Sequence, residues 1–299
     1  MTERSALAIG VITSLTWGLT GIFVRLLPGF SPLAITTVRM LIALASVLPI
    51  LVFSGANGGT SAGLAAALRR PVVAFLALLM VGYYLLATTA FQRAPVAEVA
   101  LLISTQPLFI LVIRAVRGDN PALSEIGGAL LAIAGMLVIL APGLRAESAT
   151  AQHFSGSMMA LGAAALSASY AYIYRFLSER QHAPESSVVS LLTFALGSAI
   201  LVVALSLTTM PSGLSDPSQE DVALLLGLGI VSTAIPTIGF SVASRALPAI
   251  VTATISLLVP LFSGLFGYIV LAERLSPTFI VGCIPVSLGV AMIIRRRRT

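Results

Sequence analysis

The chain has 299 residues, of which 58% are hydrophobic and 9% charged, with a formal net charge of +6 and a mean hydropathy of +1.03. A water-soluble fold of this size has no interior large enough to hide so much apolar surface, so the composition excludes a soluble globular protein. All 17 basic residues are arginine, which excludes lysine chemistry such as Schiff-base formation, and their scatter over short loops argues against nucleic-acid binding.

Apolar runs of about 20 residues, the length a bilayer requires, follow one another along the chain. The first, 5–26, is too long for the apolar part of a signal peptide and is interrupted by Thr13, Thr16, Trp17 and Thr20. It reads as a retained helix, with the mature chain beginning near Met1. The next runs are 32–53, 71–91, 96–115 and 123–142, separated by turn-rich segments at 28–32, 54–63 and 118–121. After Pro142 and Gly143 come 155–177, 186–208, 221–243, 248–271 and 277–294, with further breaks at 211–217 and at Ser276 with Pro277. The lone Cys283 lies inside an apolar run, where a thiol behaves as a small hydrophobe.

Ten spans put both termini on one side. Taking the loops alternately assigns twelve arginines to that side (Arg4, Arg69, Arg70, Arg114, Arg117, Arg175, Arg180, Arg245 and Arg295 to Arg298) and four to the other (Arg25, Arg93, Arg145 and Arg274). The positive-inside rule then predicts cytoplasmic termini in a bacterial-type inner membrane. Arg39 alone falls within a span.

The two halves resemble each other at an offset near 153. Ala94-Pro95 recurs as Leu247-Pro248, Pro107-Leu108-Phe109 as Pro260-Leu261-Phe262, and Gly128 with Gly135 as Gly282 with Gly289. Five spans per copy is an odd number, so the second copy must enter the membrane inverted, as in alternating-access transporters. The expected fold is an all-α integral membrane protein, with repeats 1–145 and 146–299 enclosing a central cavity.

Trp17-Gly18 in the first span, Arg39 in the second, the mid-helix Pro107, and Glu273 before a glycine-containing last span recur in the order of a known family. The chain resembles the drug/metabolite transporter superfamily, specifically its EamA-type exporters, and within them the YddG-type amino-acid exporters. That resemblance implies a basket in which spans 1, 3, 4, 6, 8 and 9 surround the cavity, and export of amino acids and some cationic drugs.

Polar residues within spans face a cavity or another helix rather than lipid. At helical spacing Thr13, Trp17, Thr20 and Val24 share a face, as do Tyr84, Thr88 and Phe91, and Glu98, Leu102, Thr105 and Phe109. Thr233, Pro236, Thr237 and Phe240 share another face, and Thr252, Ser256 and Val259 a fifth. Trp17 and Tyr170 are equivalent at the 153 offset and are expected as walls of a central site. The candidate substrate-binding set is therefore Trp17, Thr20, Tyr84, Thr88, Glu98, Thr105, Tyr170, Thr237, Phe240 and Ser256. Of the neighbours Tyr83 and Tyr84, one helix face admits a single ring, and Tyr84 is favoured.

Pro107 and Pro260 each remove a backbone hydrogen bond mid-span and are expected to act as paired hinges. Arg39 is expected to bond structurally, to carbonyls or to Glu98. The glycine pairs are expected to pack helices closely. With His153 and His182 in predicted loops and no paired carboxylates deep in the spans, an intramembrane hydrolase is disfavoured, and neither metal nor cofactor is expected. The same lack of buried acid or histidine favours facilitated uniport over proton coupling. A multidrug or cation exporter, with Glu98 as counter-charge and coupled to protons, is the alternative. The partners expected are a small amphipathic solute and the lipid bilayer, with the protein itself a monomer.

Overall fold

The computed structural model describes residues 3–55, 70–118, 123–145, 151–208, 214, 216–256, 258–272 and 277–295. All regular structure among them is helical. The first half holds α1 (Glu3–Gly18), α2 (Thr20–Arg25), α3 (Pro32–Gly55), α4 (Pro71–Arg93), α5 (Val96–Ile103), α6 (Gln106–Val116) and α7 (Leu123–Arg145). The second holds α8 (Ala151–Glu179), α9 (Ser186–Ser206), α10 (Gln219–Gly229), a π-turn (Ile230–Ala234), α11 (Ile235–Ala246), α12 (Ala249–Ile255), α13 (Leu258–Leu271) and α14 (Pro277–Arg295). The predicted charges Arg69, Glu273, Arg274 and Arg296 to Arg298 lie outside the described residues, as do the side chains of Arg145 and Arg295.

Among the described residues, six helical segments are long and apolar enough to cross a membrane: Arg4–Arg25, Pro32–Pro49, Pro71–Arg93, Val96–Val116, Ser186–Ser206 and Gln219–Ala246. Shorter apolar helices cover Ile126–Gly135, Leu258–Leu271 and Pro277–Gly289. The molecule is inverted relative to a soluble protein. Leu130, Val203, Leu261 and Ile269 are exposed, whereas Arg39, Thr88, Thr233 and Ser263 are wholly buried. Such a surface is stable only against hydrocarbon. The helix α8 is 29 residues long but rich in alanine and serine. Its Ala160, Ala163, Ala164 and Ala168 are fully buried, so it lies among other helices and needs less apolar bulk.

Breaks in the rods have local causes. At Gly18 an added Cβ would lie 2.6 Å from Phe262 Cβ, so α1 ends where another helix comes too close for a side chain. Between α5 and α6 the break falls at Ser104 and Thr105, and Pro107 stands at the start of the new helix, where a missing N–H costs nothing. Pro260 stands likewise in the first turn of α13. The breaks therefore precede the two prolines rather than coinciding with them. The π-turn precedes Pro236.

The glycine pairs of α7 and α14 meet reciprocally. A Cβ on Gly135 would lie 2.7 Å from the Gly282 carbonyl and 2.8 Å from Val286 N, and one on Gly289 would press on the Gly128 carbonyl and lie 2.7 Å from Ala132 N. Backbone cannot retreat as a side chain can. Gly289→Ala is therefore expected to lower stability by about 1–3 kcal/mol, although alanine in a helix is ordinarily worth about 1 kcal/mol over glycine. Thermal melts in detergent check this, and a melt at or above that of the unaltered protein rejects the close approach.

Candidate functional site

Arg39 lies on α3 with no exposed surface. Its Nε donates to Thr233 Oγ1 at 2.7 Å, one terminal nitrogen to Thr88 Oγ1 at 3.2 Å, and the other to the Ser232 carbonyl at 2.9 Å. In an α-helix that carbonyl would accept from residue 236, but Pro236 has no N–H. Arg39 provides that carbonyl with a side-chain donor where the π-turn runs into Pro236. The Tyr84 ring lies 4.6 Å beneath the guanidinium, a favourable cation–π geometry. Because the Thr237 hydroxyl donates to the Thr233 carbonyl, the Tyr84 hydroxyl is the donor in its 2.5 Å bond to Thr237 Oγ1.

Glu98 is not a partner of Arg39, contrary to one expectation. Its carboxylate accepts from Ser157 Oγ at 2.9 Å and meets His153 Nε2 at 3.1 Å. The reason is the length of α8, which begins at Ala151 rather than 155. That early start moves His153 from its predicted loop into the first helical turn, beside the start of α5. Arg93, bonded to Ser155 Oγ at 3.0 Å, and Arg25, bonded to the Ala94 carbonyl at 2.9 Å, belong to the same end. At the opposite end Arg175 donates to the Arg245 carbonyl at 3.1 Å and Arg70 to that of His182 at 3.3 Å. The guanidiniums of Arg117 and Arg180 lie over the Phe176 ring there.

Between the two ends the aromatic rings form one chain. Trp17 meets Phe240 at 5.0 Å and Tyr83 at 5.7 Å, and Phe240 stacks on Tyr170 at 5.6 Å. Beside Trp17 is a void of about 20 Å3 lined by Tyr83, Ile103, Ser104, Gln106, Ser167, Ser256 and Val259, room for about one water molecule. It lies where α5 gives way to α6 and α12 to α13, and Ser104 Oγ crosses from one break to the Ser256 carbonyl of the other at 3.1 Å. Trp17 Nε1 is buried without a hydrogen bond of acceptable geometry, although the Tyr84 hydroxyl is near enough to interact with it. The Gln106 side chain makes no hydrogen bond among the described residues.

Of the sequence candidates, Trp17 and Ser256 border this void, and Tyr84, Tyr170, Thr237 and Phe240 form the layer around it. Thr88 is bound to Arg39, Thr105 bonds the Leu102 carbonyl, and Thr20 Oγ1 is buried without a partner. Glu98 is tied up at the Arg93 end. Tyr83, rather than Tyr84, borders the void, and Ser104, Gln106 and Ser167 join it unanticipated. Gln106 carried a signal, being an amide in an apolar run directly before a proline.

Residues 4–141 and 154–295 each match the model of the EamA-like transporter family. The chain belongs to that family. An uncharacterized transporter of Archaeoglobus fulgidus is 24% identical over 281 residues, 94% of this chain and 93% of the relative. The uncharacterized transporter YwfM of Bacillus subtilis is 27% identical over 295 residues, 95% and 91% of the two chains. A solved crystal structure, 20% identical, superposes with a TM-score of 0.73 over 99% of both chains, a likeness of fold alone. This EamA-family protein is an integral membrane transporter.

Proposed function

We propose that the protein exports small neutral or aromatic amino acids by alternating access and facilitated uniport. In this reading it is a ten-span monomer of two inverted five-helix repeats, 1–145 and 146–299, in a bacterial-type inner membrane with cytoplasmic termini. The observation that carries it is the site itself: aromatic walls and hydroxyls closed around a void where two discontinuous rods break, the place where such transporters hold substrate. Pro107 and Pro260, just beyond the breaks, serve as the hinges.

Inversion is supported by pairs that a twofold axis in the membrane plane would exchange. Gly128 touches Gly289 while Gly135 touches Gly282, and Tyr84 bonds Thr237, its own equivalent 153 residues on. The void is flanked by Ile103 with Ser256 and by Gln106 with Val259, each pair at the same offset. The gathering of Arg70, Arg117, Arg175, Arg180 and Arg245 at one end supports assigning that end to the cytoplasm.

Counterflow of an amino-acid panel in proteoliposomes tests the function, with Trp17→Ala and Tyr84→Ala beside the unaltered protein. Flux of amino acids, altered in solute preference by either change, is the expected result. Flux of none of the panel rejects the reading.

The cation-exporter alternative rests on Glu98, a carboxylate mostly withdrawn from solvent beside His153. In that case Glu98→Gln would cut export of cationic drugs about tenfold while sparing neutral amino acids. Because Glu98 is held by Ser157 and His153 and lies apart from the void, we expect equal and modest losses for both classes, read in the same counterflow assay.

A further inference from the structure

A cavity of about 550 Å3 opens at the arginine-rich end, walled by Ser178 of α8, Glu185 and Ser186 at the start of α9, and Ile238, Val242 and Arg245 of α11. Glu185 and Arg245 bring opposite charges to it. Both lie within electrostatic reach of the Tyr174 phenol, but neither side chain makes an ion pair or hydrogen bond among the described residues, which leaves their charged ends available to a ligand. One cationic and one anionic group across a half-open cleft match a molecule carrying both a carboxylate and an ammonium.

The cavity is also continuous in chemistry with the central site. Behind its wall the buried Tyr174 donates to the Pro184 carbonyl at 2.8 Å and lies 3.2 Å from Ser186 Oγ. Its ring is 5.6 Å from that of Tyr170, which stacks on Phe240, which meets Trp17. Hydroxyls follow the same course. Ser190 donates to Ser241 Oγ at 3.1 Å, and the Tyr170 hydroxyl lies 2.8 Å from Ser241 Oγ. One turn further along α11, Ser244 Oγ is buried with no partner at all. A buried hydroxyl without a partner is costly, and on this helix it extends the polar seam toward Arg245.

We infer that this cavity is the loading site for substrate, taking a zwitterion with its carboxylate on Arg245 and its ammonium on Glu185 before passage along the Tyr174–Tyr170–Phe240 seam. The inference rests on the amino-acid reading above and adds the place and the charge pattern by which the solute is first held. Simple headgroup anchoring by the same two charges would show no selectivity among soluble ligands.

The test pairs deletions on the protein with deletions on the ligand. Radiolabelled L-phenylalanine is bound to purified protein in nanodiscs, and L-phenylalaninamide, which lacks the carboxylate, and 3-phenylpropionate, which lacks the ammonium, are measured as competitors. Arg245→Gln is expected to weaken phenylalanine about three- to tenfold, the range for a partly exposed charged contact, and to leave the amide unchanged. Glu185→Gln is expected to weaken phenylalanine to the same degree and leave 3-phenylpropionate unchanged. Equal loss for all three ligands, or for none, overturns the loading site while leaving amino-acid export standing. If the unaltered protein neither binds phenylalanine nor carries any amino acid in counterflow, both fall together.

Discussion

Arg39→Met is expected to destabilise the protein strongly. The change removes three hydrogen bonds and the contact with Tyr84 at once, and it takes from the Ser232 carbonyl a donor that Pro236, four residues on, has no N–H to replace. Bonds to a charged group are worth about 1.5–3 kcal/mol each, less in membrane interiors, where about 0.6 is usual. With the ring contact adding about 1–2 kcal/mol, the membrane value gives a total of about 3–4 kcal/mol, a large share of the 5–15 that holds a typical protein together. The melting midpoint in detergent should fall by about 10 °C, with loss of the monodisperse peak in size exclusion. Arg39→Lys keeps the charge but loses the planar fork, and should fall between the two. Restoring an N–H by Pro236→Ala in the Arg39→Met background should recover about 1 kcal/mol, because residue 236 can then donate to the Ser232 carbonyl. That coupling distinguishes a clamp on the π-turn ahead of α11 from a general burial effect. A midpoint for Arg39→Met within a few degrees of the unaltered protein rejects the clamp.

The helical rods were legible because hydrocarbon demands long apolar runs, and the predicted 32–53, 71–91 and 186–208 lie within a few residues of α3, α4 and α9. The breaks within rods were not, since they arise from tertiary approach: Gly18 ends α1 because Phe262 is there. Helical spacing placed Trp17, Tyr84, Thr237 and Phe240 on inward faces. It could not say which ring of the Tyr83–Tyr84 pair reaches the void, because both are buried and the distinction is one of depth. The partners of Glu98 are a different case. Its surroundings depend on α8 starting four residues early, and helix ends are the feature that apolar runs define least well. For Arg39 a carbonyl partner was expected and the Ser232 carbonyl is one, but the hydroxyls of Thr88 and Thr233 were out of reach, because a buried charge shows its need for partners without showing which helices bring them.

Gln106→Leu should abolish most transport while leaving stability nearly untouched. The side chain is buried at 3% exposure and borders the void, yet it makes no hydrogen bond among the described residues, so a leucine of similar volume costs the fold little. A buried amide with unused donors and acceptor is itself unfavourable unless it meets a ligand during the cycle. Trp17, the only tryptophan in the chain, lines the same void, and its fluorescence therefore reports occupancy of this site alone. The expected result is a quench on adding a transported amino acid that disappears in Gln106→Leu, a counterflow rate down tenfold or more, and a melting midpoint within about 2 °C of the unaltered protein. Trp17→Ala is a poorer probe, because removing a buried indole costs about 3–5 kcal/mol by itself and mixes folding with binding. Counterflow at the full rate in Gln106→Leu would mean that the void is a packing defect where two helices happen to break. Substrate would then have to pass through the Tyr170 and Ser241 side of the seam, without entering the space between Trp17 and Tyr83.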